Sequence, residues 1–447
     1  MEIIRKRSKT DDGESAASKF ISSTATDHLL LEILVRLPDC RTAIQCSAVC
    51  MRWSSLILHS SFIPSFINHH RHQLTQYDSA YTFVFGCYTV WLSGSLYRRS
   101  IAFCQWFSEK SKTLHGNPKI SSSGTSNYQY LNFIPNPNKQ YILSYFDDLL
   151  LVSTKLDCSG FYVCNPLTKQ CIELPDPPQD KFRNFAYGLV CQTNTINVVA
   201  RYRVMKIYSD FSVANGSPFV ERAAIFSSET GQWNKSTLTF PGISTGGPNF
   251  KKIVAASNGV IYWPQGEPEY KQIAAFDPFT EDKDKQCRSI ELPVNFSRGW
   301  CAREDYVHLG VVRGKLRLLQ LFMIKRYGYV LKIWELNHND NNTSGENNIA
   351  SSSSLSNTSW ILVHGVRLNK GDKNMMHFSA FHPYNSDVIF LLRKNVICRY
   401  EIGVGEYEKV GEFPDSVKND RNPWPAVQTV PLVHPPWPTR IPALPSV

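Results

Sequence analysis

Apolar residues recur at helical spacing in one short part of the chain and at strand spacing in most of the rest. In residues 25–57, ATDHLLLEILVRLPDCRTAIQCSAVCMRWSSLI, Leu30, Ile33, Leu34 and Leu37 stand at i, i+3, i+4 and i+7, one stripe of an amphipathic helix. Thr24, Thr26 and Asp27 are candidate amino-terminal caps, and Pro38 ends the helix because proline has no N–H and clashes with the preceding turn. The pattern then restarts. Thr42-Ala-Ile-Gln45 reads as a capping box, and Ala43, Cys46, Cys50, Trp53 and Ile57 follow at alternating steps of three and four. A third short helix is expected in HSSFIPSFINHH, residues 59–70, with Phe62, Phe66 and Ile67 inward.

From about residue 78 the pattern shortens to apolar or alternating runs separated by turn residues. Examples are Leu149–Val152, Phe161–Cys164, Tyr187–Cys191, Ile196–Tyr202, Val260–Trp263, Ile273–Phe276, Val307–Val312, Leu316–Phe322, Val388–Leu392 and Ile397–Glu401. Short, regularly spaced strands predict an all-β sandwich, barrel or propeller. A strand–turn–strand unit recurs around Asn165, Ser227, Asp277, Glu335 and Glu401, at spacings of 62, 50, 58 and 66 residues. That loose repeat favours a propeller whose small sheets bury their faces against neighbours around a ring. Trp233, Trp263 and Trp334 fall at strand positions where core packing is expected.

The helical piece is too short to bury much apolar surface alone. Leu29 and Leu31 also project away from its first stripe. A small unit with leftover apolar faces reads as a docking module.

Composition removes several other functions. The 447 residues include no apolar run long enough to span a membrane, and the first twenty residues hold no apolar stretch of the secretory-signal kind. A cytoplasmic or nuclear location is therefore expected. There the twelve scattered cysteines, with no Cys-x-x-Cys pair, read as separate buried thiols. A net charge of +10, spread evenly apart from Arg5-Lys6-Arg7-Ser8-Lys9, gives no nucleic-acid footprint. No nucleophile, phosphate-loop or zinc motif is present. The Asn68-His-His-Arg-His72 run reads as an exposed junction, since adjacent histidines point in different directions and no further ligand stands at metal spacing. Neither catalytic residues, metal nor cofactor are expected.

The run Leu-Leu-Leu-Glu-Ile-Leu-x-x-Leu-Pro, then Val-Cys-x-x-Trp and Leu-Ile, resembles an F-box. The resemblance implies docking on a Skp-type adaptor, and through it on a cullin, within a ubiquitin ligase. Carried over position by position, it implies that Leu29, Leu30, Ile33, Leu34, Leu37, Pro38, Val49, Cys50 and Trp53 bind the adaptor. Three features depart from the pattern. Ala25-Thr26 replaces the opening Leu-Pro, the loop after Leu37-Pro38 is about one residue longer, and Met51 stands where lysine is usual.

The β-rich part is similar to the F-box-associated propeller of plant F-box proteins. Its matching elements are Asn165-Pro-Leu-Thr with Leu174-Pro175, the Ser-Ser-Glu-Thr-Gly-x-Trp turn ending at Trp233, Asn258-Gly-Val-Ile-Tyr-Trp263, Ala275-Phe-Asp277, Ile333-Trp334, and His382-Pro with Asp387-Val.

The expected architecture is mainly β with a small α module: a three-helix F-box followed by a propeller of about six blades. Residues 1–24 read as a disordered tail, 25–69 as the F-box, 78–422 as the propeller and 423–447 as a proline-rich tail. Within the propeller, residues 337–359 have fourteen Asn or Ser in twenty-three positions and read as a polar loop. The tail has eight prolines in twenty-five positions and is expected to lie across the propeller, with Trp424 and Trp437 as anchors.

The function implied is that of a substrate receptor: the F-box holds the adaptor while the propeller holds a protein substrate whose contact residues the sequence does not name. The alternative is a propeller scaffold, or a module binding a glycan or small ligand, with no ligase role.

Overall fold

A computed structural model of the chain describes residues 26–73, 81–88, 106–108, 113–115, 133–135, 141–154, 160–178, 185–194, 199–210, 220–241, 255–266, 270–294, 296, 307–324, 328–338, 358–368, 376–393, 396–412 and 426–445. The chain divides into two units at Thr75/Gln76.

The first unit is helical: α1 (Asp27–Val35), α2 (Cys40–Cys46), α3 (Met51–Leu58) and α4 (Phe62–Gln73). Thr26 caps α1, its hydroxyl accepting from Leu29 N at 3.3 Å. The cap of α2 is Asp39 and not Thr42, because the Asp39 carboxylate accepts from both Thr42 N (2.7 Å) and Thr42 Oγ1 (3.0 Å). Those bonds hold the Asp39 carboxyl below its usual range, the Thr42 amide contributing most. The expected single second helix is broken at 47–50, so Cys46 and Trp53 belong to different helices.

The second unit is built from antiparallel four-stranded meanders. The first is β4–β7 (Tyr141–Phe146, Leu149–Ser153, Phe161–Asn165, Gln170–Glu173) and the second β8–β11 (Ala186–Thr193, Val199–Asp210, Val220–Ser227, Gln232–Leu238). The third is β12–β15 (Ala255–Ser257, Val260–Gln265, Gln272–Phe276, Cys287–Glu291), with the one-turn helix α5 (Lys283–Gln286) before its last strand. The fourth is β16–β19 (Val307–Val312, Lys315–Ile324, Gly328–His338, Thr358–Leu368) and the fifth β20–β23 (Met376–Phe381, Val388–Arg393, Val396–Glu401, Glu406–Glu412). Tight turns join β4 to β5, β6 to β7, β10 to β11, β12 to β13, β16 to β17 and β22 to β23. Asn258-Gly259, both at positive φ, links β12 to β13 in the manner of a two-residue hairpin.

Among the described residues five blades are complete, against about six expected. The sixth place is taken by β1 (Tyr81–Tyr88) paired antiparallel with β24 (Ala426–Val433), with the short pair β2 (Trp106–Ser108) and β3 (Thr113–His115) beside β1. The core shows why this closes a ring. Blade strands are buried on both faces, so alternate residues serve different boundaries. On β5, Leu149 and Leu151 pack against Leu189, Val204 and Phe226 of the second blade. Leu150 and Val152 pack the other way, against Val84 of β1 and Val430 and Leu432 of β24. On β21, Ile389 and Leu391 join the core shared with the fourth blade, while Val388, Phe390 and Leu392 meet Tyr81 and Phe83 of β1. The second and third blades share Val190, Met205, Ile261 and Trp263, and the third and fourth share Ile273, Ala275, Leu318 and Trp334.

Three expectations need correction. β24 lies inside the stretch read as a tail and is a structural strand; its Pro431 is tolerated because β24 pairs only with β1. Cys164 and Cys171, expected as separate thiols, stand directly opposite on β6 and β7 with their sulfurs side by side. The histidine run is not a junction but part of α4, with Asn68 exposed and His70 buried. Residues 1–24, Trp424 and most of the polar loop (339–357) lie outside the described residues, while the loop's ends continue β18 and β19.

Two outcomes follow for stability. Leu432→Ala should lower propeller stability by about 2–5 kcal/mol in urea unfolding, whereas Val404→Ala, in an exposed turn, should change it by less than about 0.5 kcal/mol. Glu221 is buried, with Oε1 accepting from Gln265 Nε2 at 3.0 Å, and burial pushes its carboxyl up to about 7. Because the folded value is the higher one, the group's contribution is fully present below the unfolded value near 4.5 and is lost as pH rises through about 7. Glu221→Gln should therefore gain on the order of 1–3 kcal/mol over the native chain between pH 5 and pH 8.

Candidate functional site: the apolar face of the helical unit

On α1, adjacent residues have opposite fates. Leu30 and Leu34 are 0% and 1% exposed, whereas Leu29 and Ile33, one position earlier in each turn, are 48% and 45% exposed. Leu30 and Leu34, together with Ala43 of α2, Ile57 of α3, and Phe62 and Phe66 of α4, are the buried apolar side chains of the unit. Leu29 and Ile33, four residues apart, form a second apolar stripe that nothing in the unit covers.

More apolar surface follows on the next elements: Ile44 on α2, Val49 in the turn before α3, and Met51 and Leu58 at the two ends of α3. Among the described residues, six of the ten exposed large hydrophobic side chains lie between Leu29 and Leu58. Such surface is therefore concentrated in the smaller unit, where an uncovered apolar face marks an interaction site.

Polar contacts fix the frame that carries these residues. Arg52 Nε of α3 pairs with Asp27 Oδ1 of α1 at 2.8 Å. His70 Nε2 donates to Leu37 O at 2.8 Å, tying the end of the Leu37-Pro38 stretch to α4, while its Nδ1 lies 2.9 Å from Phe66 O. Arg36 pairs with Glu32 one turn earlier, which holds the Glu32 carboxyl below its usual range. Among the described residues, no three His, Cys, Asp or Glu side chains are grouped so as to hold a metal ion. The chemistry available to the face is apolar burial rimmed by charge.

The model of the F-box protein At3g26010-like β-propeller family matches residues 113–403. The chain belongs to that family. Its curated relatives are Arabidopsis thaliana proteins. F-box protein At3g28330 is 28% identical over 275 residues, 60% of each chain. F-box protein At3g26010 is 24% identical over 376 residues, 82% of this chain and 73% of the relative. Putative F-box/kelch-repeat protein At1g15680 is 24% identical over 331 residues, 71% of this chain and 72% of the relative. The family match starts at β3 and ends just past β22, so it rests on the propeller and leaves the helical unit outside it.

In this F-box–propeller chain, the residues matched to the adaptor-binding motif separate into three groups. Leu29, Ile33, Pro38 and Val49 are exposed; Leu37, Cys50 and Trp53 are half-buried; Leu30 and Leu34 are core. Ile44, Met51 and Leu58 are exposed apolar residues that the motif did not single out. Ile44 was legible as the one large apolar residue of α2 beside the Ala43 position. Leu58, following buried Ile57, was not, because two adjacent apolar residues at a helix end do not show which faces inward.

Asp at both Leu30 and Leu34 should unfold the helical unit, and Asp at both Leu29 and Ile33 should leave it folded. Far-UV circular dichroism of residues 1–75 within the full chain, read as the helical signal at 222 nm and its melting, distinguishes the two.

Proposed function

We propose that the chain is the substrate-recognition subunit of an SCF-type ubiquitin ligase. The helical unit docks on a Skp-type adaptor, which links it to a cullin, and the propeller holds a protein substrate. The carrying observation is the concentration of exposed apolar side chains on the helical unit, with Leu29, Ile33 and Val49 at motif positions. Covering a half-exposed Leu, Ile or Val removes enough apolar area to stabilise a complex by about 1 kcal/mol each. A few such residues around a central apolar cluster are what a specific interface needs.

The chain itself performs no covalent step in this role. It raises the effective concentration of the substrate beside the ubiquitin-conjugating enzyme. The role belongs to the cytoplasm or the nucleus, and it requires no nucleic acid, membrane or cofactor. The departures at Ala25-Thr26 and Met51 bear on the affinity of that docking.

Co-expression with a plant Skp-type adaptor and affinity capture tests the docking. The native chain should retain adaptor near one to one. Leu29→Asp with Ile33→Asp should reduce the recovered adaptor at least about tenfold, since it removes two apolar contacts and leaves two carboxylates against an apolar partner. Equal recovery by the variant and the native chain would show that this stripe is not the docking face.

A further inference from the structure

The end of the chain is held in an unusual way. After β24, residues 434–445 leave the ladder and run along the boundary of the first and second blades with no strand pairing of their own. Their backbone is gripped by side chains. Asp148 Oδ2 accepts from Thr439 N at 2.8 Å, and Asn165 Nδ2 donates to Thr439 O at 2.7 Å. Two residues on, Gln170 Oε1 accepts from Ile441 N at 3.1 Å and Gln170 Nε2 lies 3.5 Å from Ile441 O. Both amide units of an extended Thr-x-Ile stretch are therefore read by their N–H and C=O groups.

Two of the gripping residues are also held by contacts outside the segment. Asp148 and Asn165 are fully buried and bonded to each other, Asn165 Nδ2 to Asp148 Oδ2 at 2.8 Å. Asn165 Oδ1 also accepts from Leu167 N at 2.8 Å, which locks its amide plane. Among the described residues, Asp148 Oδ1 is buried with no hydrogen-bond partner.

Side-chain reading is confined to one pocket and its rim. Ile441 enters the core shared by the first two blades, among Phe161, Leu189, Tyr202 and Phe226, and Leu444 packs against the same cluster. Arg440 and Ala443, in between, are exposed. Pro445 lies over Gly231 in the β10–β11 turn, where an added Cβ would stand 3.5 Å from the Pro445 ring. Pro438 and Pro442 precede and follow the gripped stretch, and having no N–H they ask for no donor partner. Main-chain hydrogen bonds for affinity, with a pocket for an anchoring side chain, are the features of sites that bind extended peptides in trans.

We propose that the boundary of the first and second blades is a peptide-binding site, occupied in the free chain by its own residues 437–445. It takes an extended segment of the pattern Pro-x-x-aliphatic-Pro from another protein once the resident segment is displaced. The backbone grip accepts any residue at the exposed positions, and the Ile441 pocket selects a β-branched aliphatic or leucine side chain. The prolines keep the segment extended, so little entropy is lost on binding.

The site is tested on the full chain with a thrombin site in place of Pro435-Pro436, cut after folding, and without any adaptor, so the outcome is independent of the docking on the helical unit. The probe is a fluorescein-labelled peptide of residues 437–447. The cut protein should raise its polarisation saturably, and the uncut protein should not. Unlabelled peptide should compete, the same peptide carrying Ile441→Asp should not, and Gln170→Ala should weaken binding at least about fivefold. An unrelated peptide that keeps only Pro-Ala-Ala-Val-Pro should also compete. Several results would overturn the proposal. The cut protein could lose its fold, which would make the segment an integral part of the blade. It could also stay folded yet take up no probe, or bind a scrambled peptide equally well. Failure of the Pro-Ala-Ala-Val-Pro peptide alone would overturn the ligand class.

Discussion

A blade buried on both faces cannot end a row, because its last face would be left in water. Everything in the larger unit depends on the contact that removes that last face: β1 and β24, from opposite ends of the sequence, pair over eight residues and fill the gap between the fifth blade and the first. Tyr81 and Phe83 serve the fifth blade while Val84, Val430 and Leu432 serve the first. With that seam closed, each blade has two neighbours, and a separate apolar core lies at each boundary around the ring. The seam also explains the chain's ending, since β24 delivers the last residues to the edge of the first blade, where Asp148, Asn165 and Gln170 hold them.

The helical unit obeys the opposite rule. Its four short helices bury a handful of side chains around Leu30, Leu34, Phe62 and Phe66 and leave Leu29, Ile33 and Val49 uncovered. A propeller hides nearly all of its apolar residues by closing on itself; a helical unit this small cannot, and gains by meeting a partner. The two units thus divide the work by physical necessity. One closes its apolar surface on itself, and the other leaves part of its apolar surface uncovered.

Legibility in the sequence tracked local period. The strand pattern located most blade strands, and the loose strand–turn–strand repeat pointed to a ring. It missed β24, since eight prolines in the last twenty-five residues outweigh a short alternating run, and pairing over more than three hundred residues leaves no local trace. On α1 the i, i+3, i+4 pattern placed Leu30 and Leu34 on one stripe and Leu29 off it, and the resemblance carried all three over to the adaptor. Motif matching marks positions that matter without distinguishing those that hold the fold from those that face outward. The grip on residues 439–441 could not be seen at all, because it joins Asp148, Asn165 and Gln170 to residues about 270 to 290 positions away.

The central claim is that the exposed apolar stripe of α1, with the turn at Val49, is where this F-box–propeller chain meets its ligase. Amide hydrogen exchange of the full chain with and without a Skp-type adaptor tests it most directly. The account predicts new protection confined to residues 27–58, strongest at 27–35 and 44–51, with the propeller strands unchanged. Protection that appears on the blades and leaves α1 untouched would contradict it.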